Sequence, residues 1–293
     1  MKKFSGVGVA LVTPFDGAGQ VDEESLREMV AYVTDGGVDY LVALGTTSEA
    51  ATLSWQERER VVEVIAECNA GRLPIVIGVG GNNTAVVLED LEELPYLRHG
   101  DAILTVAPYY SKPSAEGLYR HFKAIAERSP LPLILYNVPG RCSVNIGAET
   151  TLRLAREFEN IIAVKEASGC FEQATAIAAG KPDHFLLLSG DDSVALPFIS
   201  IGAEGVISVM ANVLPYECSM MIHRALEGEF AEARAIHYRS RFLYKALFEE
   251  GNPAGVKAAL HAQGMIRENC LRLPLCPVSD ELYRTIQAEM QRM

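Results

Sequence analysis

Lys165 closes the run Ile161-Ile162-Ala163-Val164-Lys165, a stretch apolar enough to be packed on both faces. Burying an ammonium is costly unless it is paired or neutralised, so lysine seldom occurs there without cause. Desolvation lowers the pKa of such a lysine and frees the amine to attack a ketone as a Schiff-base nucleophile. The competing reading is a structural ion pair with Glu166 or Asp191, and spacing alone does not separate the two. Tyr136 ends a neighbouring apolar run, where its phenol either moves protons during imine formation or packs with a satisfied hydroxyl. Thr46 and Thr47 follow Gly45 at a turn and either offer hydroxyls and amides to a carboxylate or cap that turn. Arg141 is either a bidentate carboxylate ligand or an ordinary surface arginine. Asp191-Asp192 either chelates a divalent metal or caps a following helix.

Something must bring these residues together. Eight short apolar runs begin at Val7, Tyr40, Ile75, Ile103, Leu133, Ile162, Phe185 and Val206, each ending in Gly, Pro or small polar residues. Runs without polar alternation suit a parallel sheet covered by helices. The segments between them read as those helices. Leu26, Met29, Val30 and Val33 keep helical spacing after Asp22, and Gly36 provides a stop. Ser54 with Glu57 forms a capping box, Gly71 follows that helix, and Ser114 precedes Leu118, Phe122 and Ile125. Eight alternating units predict an α/β fold, a (βα)₈ TIM barrel, with a doubly wound sheet as the alternative. In such a barrel the active site gathers at the carboxyl ends of the strands. Those ends carry Thr13, Thr46 to Glu49, Asn82, Tyr109-Tyr110, Tyr136-Asn137, Lys165-Glu166, Asp191-Asp192 and Asn212. Beyond Pro215 the strand signal stops. Residues 1–214 therefore read as the catalytic barrel and 215–293 as a C-terminal helical appendage, broken at Gly228, Gly251-Asn252-Pro253 and Pro274 to Pro277.

Composition narrows the function. The 293 residues carry 26 basic and 38 acidic side chains, a formal charge of −12. That balance disfavours nucleic acid and anionic membrane surfaces as partners. Six scattered cysteines form no C-x-x-C pair, and there is no full dinucleotide fingerprint, Walker A loop or H-E-x-x-H, so no metal site is expected. The opening basic-then-apolar stretch stops at Pro14-Phe15-Asp16 without an A-x-A site, which argues against a signal peptide. A soluble cytoplasmic protein is expected, and the Asn82-Asn83-Thr84 sequon is then coincidental.

Taken together, the motifs resemble the dihydrodipicolinate synthase and N-acetylneuraminate lyase family. The likeness runs through Gly45-Thr46-Thr47-x-Glu49, Pro108-Tyr109-Tyr110, Tyr136-Asn137-Val138-Pro139, Lys165-Glu166-Ala167-Ser168-Gly169, Ser189-Gly190-Asp191-Asp192 and Gly205-Val206-Ile207-Ser208. The resemblance implies that Lys165 carries pyruvate as an imine, with no metal or organic cofactor. It implies that Tyr136 gives and takes protons through a relay with Thr46 and Tyr110, the latter supplied by a neighbouring subunit of a homotetramer built as a dimer of dimers. Thr47, the backbone at Ile207 and Gly190 are then pyruvate contacts. In the synthase branch the enamine attacks L-aspartate 4-semialdehyde on the diaminopimelate route to lysine. Arg141 after Tyr-Asn-Val-Pro and the double threonine favour that branch over lyases of N-acetylneuraminate or 2-keto-3-deoxy sugar acids. A third reading, a non-catalytic keto-acid sensor, fits poorly with an intact Lys165, Tyr136 and relay. Departures occur at Ser48, where the family commonly has glycine, and in the regulatory cleft. There Trp55 and Arg58 stand where lysine-sensitive relatives often have histidines, and Val86 replaces a glutamate. Weak or absent inhibition by lysine is expected.

Overall fold

Eight parallel strands close on one another in chain order, β1 pairing with both β2 and β8. They are β1 (Gly6–Ala10), β2 (Tyr40–Ala43), β3 (Ile75–Gly78), β4 (Ala102–Val106), β5 (Leu133–Asn137), β6 (Ile161–Glu166), β7 (Leu186–Ser189) and β8 (Gly205–Ser208). This computed structural model describes residues 3–292. Tyr40, Leu41, Val42 and Ala43 of β2 are all buried, as are all five residues of β1 and all five of β5. Burial on both faces is why the strands read as continuous apolar runs. At the closing seam a Cβ on Gly205 would stand 2.1 Å from the Gly6 carbonyl oxygen, so only glycine lets β1 and β8 meet.

The barrel helices are α1 (Glu23–Asp35), α2 (Trp55–Asn69), α3 (Thr84–Glu93), α4 (Ala115–Arg128), the short α5 (Pro139–Cys142), α6 (Ala148–Glu157), α7 (Phe171–Gly180) and α8 (Ala195–Ser200). Asp22, Ser54 and Ser114 cap α1, α2 and α4, and the Ser54–Glu57 capping box is complete in both directions. The first apolar run outlasts its strand: Leu11 to Pro14 are buried but extended outside the sheet. Pro14 cannot donate to a ladder, and Asn212 takes over locally, accepting from Val12 N and donating to the Ala10 carbonyl. Asn212 is thus a backbone brace rather than a group facing substrate.

The chain continues as α9 (Pro215–Leu226), α10 (Phe230–Ala246), α11 (Ala254–Ala262) and α12 (Asp280–Met290), with the breaks at the expected glycines and prolines. α9 packs on α1, β1 and β8 and so completes the ring of helices. The rest is fastened to the β2 end of the barrel by charge. Lys257 in α11 and Glu49 after β2 form an ion pair at 2.5 Å with both side chains fully buried. Lys257 also donates to the Cys270 carbonyl, and its ammonium lies 4.0 Å from the centre of the Phe15 ring. Burial pushes the Lys257 pKa down, against the upward pull of Glu49. The Arg272 amide donates to Glu49, while its guanidinium reaches the Gly19 and Thr52 carbonyls and the Glu57 carboxylate. That last contact holds the Glu57 pKa down at about 2. Among the described residues no helix is long and apolar enough to cross a membrane.

Removing one partner of a buried pair leaves an uncompensated charge. Lys257→Met should therefore cost about 3–5 kcal/mol in a urea titration. Adding Glu49→Leu to it should recover much of the loss. A single variant as stable as the parent would contradict the fastening.

Candidate active site

Strand alternation decides how β6 presents its last two residues. Glu166 faces its own network, accepting from Asn137 Nδ2 at 3.0 Å, Gln173 Nε2 at 2.7 Å and Ser168 N at 2.7 Å. Lys165 takes the opposite face and is 6% exposed. Among the described residues it makes no ion pair, so neither Glu166 nor Asp191 neutralises it. Its register partner on β5 is Tyr136, and Lys165 Nζ stands 4.3 Å from the centre of that ring. The polar environment of Lys165 is therefore an aromatic face rather than a carboxylate.

Of the two readings of Asp191-Asp192, capping holds for Asp191, while Asp192 is occupied elsewhere. Asp191 caps the following turn through Ser193 N. Asp192 is buried and accepts from Val209 N and Met210 N, tying the β7 loop to the end of β8. Burial raises its pKa despite those donors. No group of three or more His, Cys, Asp or Glu among the described residues could hold a metal.

Gly45 leads into a single 3₁₀ turn, Thr46–Ser48, flanked by Leu44 and Glu49, both at φ 55°. Left-handed conformations on non-glycine residues are held only where the surroundings over-determine them. Here Ser48 Oγ bonds back to the Gly45 carbonyl at 2.7 Å, and the Lys257 pair pins Glu49. Thr47 is buried, and its hydroxyl oxygen accepts from Asn252 Nδ2 at 3.0 Å. The Asn252 carbonyl in turn accepts from Arg141 Nη2 at 3.2 Å. Arg141 comes from α5, which Pro139 starts directly after β5. Gly190 follows β7 and donates to the Glu166 carbonyl at 2.8 Å. Ile207 lies fully buried on β8.

A cavity of about 400 Å³ opens at this end of the barrel. Thr46, Tyr136, Arg141 and Asn252 share its wall; Arg58 and Tyr109 lie further along it. Lys165, Thr47, Gly190 and Ile207 are not wall residues, and Lys165 meets the cavity's edge through Tyr136. Tyr110 stands apart. It is 88% exposed at φ 74° and does not line the cavity. Asn252 was hidden in sequence because Gly251-Asn252-Pro253 reads as a helix break. Lys257 left a signal, a lone cation inside Ala254-Gly255-Val256-Lys257-Ala258-Ala259-Leu260.

The sequence model of the dihydrodipicolinate synthetase family matches residues 3–293. The chain belongs to that family. The 4-hydroxy-tetrahydrodipicolinate synthase of Porphyromonas gingivalis is 51% identical over 276 residues, covering 94% of this chain and 92% of its own. That of Flavobacterium psychrophilum is 49% identical over 282 residues, covering 96% of each. The family fold is equally plain: a solved dihydrodipicolinate synthase from Thermotoga maritima, 39% identical, superposes with a TM-score of 0.95 over 99% of this chain and all of its own. The (βα)₈ barrel with C-terminal helices is therefore the fold of this family member, and the doubly wound alternative is set aside.

Crowding at Gly190 makes it a direct test of the site's geometry. A Cβ there would stand 2.5 Å from Ala167 Cβ and 3.2 Å from the Glu166 carbonyl oxygen, so the β6 and β7 ends must part. Misplacement of about 1 Å can cost on the order of 100-fold in rate. Gly190→Ala should approach that loss in kcat/KM for the keto acid while keeping its circular dichroism spectrum. Near-parental kinetics would show that the two strand ends do not set the site.

Proposed function

We propose that this protein is a 4-hydroxy-tetrahydrodipicolinate synthase, a Schiff-base lyase that condenses pyruvate with L-aspartate 4-semialdehyde. The observation that carries the reading is the buried, unpaired Lys165 against Tyr136, in a chain about half identical to curated synthases over nearly its whole length. Lys165 Nζ adds to C2 of pyruvate, and the carbinolamine loses water to leave an imine. A proton leaves C3, and the resulting enamine attacks the aldehyde carbon. The amino group of the adduct then adds to the imine carbon and expels Lys165, closing the ring. The imine itself is the electron sink, so the chemistry needs no metal or organic cofactor.

Each remaining group serves placement or proton transfer. Tyr136, with Thr46 and Tyr110, moves protons to and from the carbinolamine oxygen and C3. Thr47, the Ile207 backbone and Gly190 hold the pyruvate moiety, and Arg141 takes the carboxylate of the semialdehyde. Residues 1–214 supply these groups and 215–293 position them, a division of labour rather than of packing, since α9 completes the ring. Tyr110 is spent outward in its own chain, which supports its entry into a neighbouring subunit's site. Further exposed aromatics, Phe171 on α7 and Tyr238 and Phe242 on α10, are consistent with further assembly to a tetramer. Six free cysteines suit the reducing cytoplasm.

Borohydride added with pyruvate should leave a reduced adduct on Lys165, and turnover should require the semialdehyde in an assay coupled to the downstream reductase. Cleavage of N-acetylneuraminate without semialdehyde activity would overturn the assignment. Arg141→Ala should impair use of the semialdehyde far more than trapping of pyruvate.

The regulatory expectation is testable in the same assay. Val86 is 46% exposed and apolar, and Arg58 is engaged with the Ala50 carbonyl, so neither compensates a bound ammonium. Lysine should inhibit weakly or not at all. Half-inhibition at low-millimolar lysine or below would refute this.

A further inference from the structure

A threonine hydroxyl carries one hydrogen and two lone pairs. Thr47 already spends a lone pair on Asn252 Nδ2, and its hydrogen meets no acceptor among the described residues. The Asn252 Oδ1 atom is likewise buried without a partner, although the residue lines the cavity. We propose that Asn252 is a positioning residue of the reaction: by donating to Thr47 it fixes that hydroxyl as a donor toward the keto-acid carboxylate. The inference rests on the role given to Thr47 above.

The polarity matters because the amide has two faces. With nitrogen toward Thr47, the hydroxyl can only give its hydrogen elsewhere. With oxygen toward Thr47, the hydroxyl would donate to the amide and offer the carboxylate nothing but lone pairs. Asn252→Asp enforces the second arrangement at nearly constant shape. Its main-chain carbonyl, which holds Arg141, is untouched by any side-chain change. The two substrates should therefore part company: pyruvate is affected and the semialdehyde is not.

The test is a cycle of Asn252→Asp, Asn252→Ala and Thr47→Val with both double variants. It reads KM for each substrate and the pyruvate concentration that half-saturates borohydride trapping on Lys165. Asn252→Asp should raise KM for pyruvate by about tenfold or more, the scale of losing a hydrogen bond to a charged group. Asn252→Ala should raise it less, and KM for the semialdehyde should stay unchanged in both. On a Thr47→Val background neither change at Asn252 should add further loss. A persisting Asn252→Asp effect on that background would mean simple charge repulsion and overturn the proposal. So would an unchanged pyruvate KM. Should the aspartate variant fail to fold, the alanine arm decides by the same additivity. Absence of any Lys165 adduct in the parent enzyme would instead refute the reading of the site itself.

Discussion

Lys165 is buried in a closed apolar barrel without a counter-charge among the described residues, and the surrounding structure is arranged around that lysine. Water is excluded by strands buried on both faces. The nearest carboxylate in sequence, Glu166, is turned to the other face of β6 and occupied by three donors. Beside Lys165 stands the face of Tyr136, 4.3 Å from Nζ at the ring centre, which attracts a cation without supplying a counter-charge. The chain's formal charge of −12 sharpens the point, since two carboxylate substrates must enter against it. In the function proposed above, Arg141 and the threonine turn are the local answer.

The second buried lysine shows the opposite solution. Lys257 is as deeply enclosed as Lys165, yet it has a carboxylate, a carbonyl and an aromatic face. One residue type thus serves fixation where its charge is matched and, in the function proposed above, reactivity where it is not. The matched pair also stabilises the strained Glu49, and through it the turn that carries Thr46 and Thr47.

Much of this was legible in the sequence. Parallel strands buried on both faces leave uninterrupted apolar runs, and eight of them could be counted. Caps at Asp22, Ser54 and Ser114 are local chemistry, so they read directly from spacing. Lys165 was visible because a cation in an apolar run violates the pattern around it. Which group it would meet was not, since only the strand register sets Tyr136 beside it. Asn252, Lys257 and Asn212 act on partners about 200 positions distant, where no periodicity reports them. Tyr110 is 88% exposed in its own chain, so the role proposed for it depends on a second chain that no intrachain pattern reports.

The order in which the site is completed has a consequence for the chain's synthesis. Thr46, Tyr136 and Lys165 all leave the ribosome before the C-terminal helices. The residues that bond to Thr47 and Glu49 of the same turn, Asn252, Lys257 and Arg272, emerge near the end. Contacts spanning so much sequence form late and slowly. A ribosome-bound chain therefore carries Lys165 before it carries the segment that pins the Thr46–Glu49 turn, and that turn is fastened only as the C-terminal helices are added.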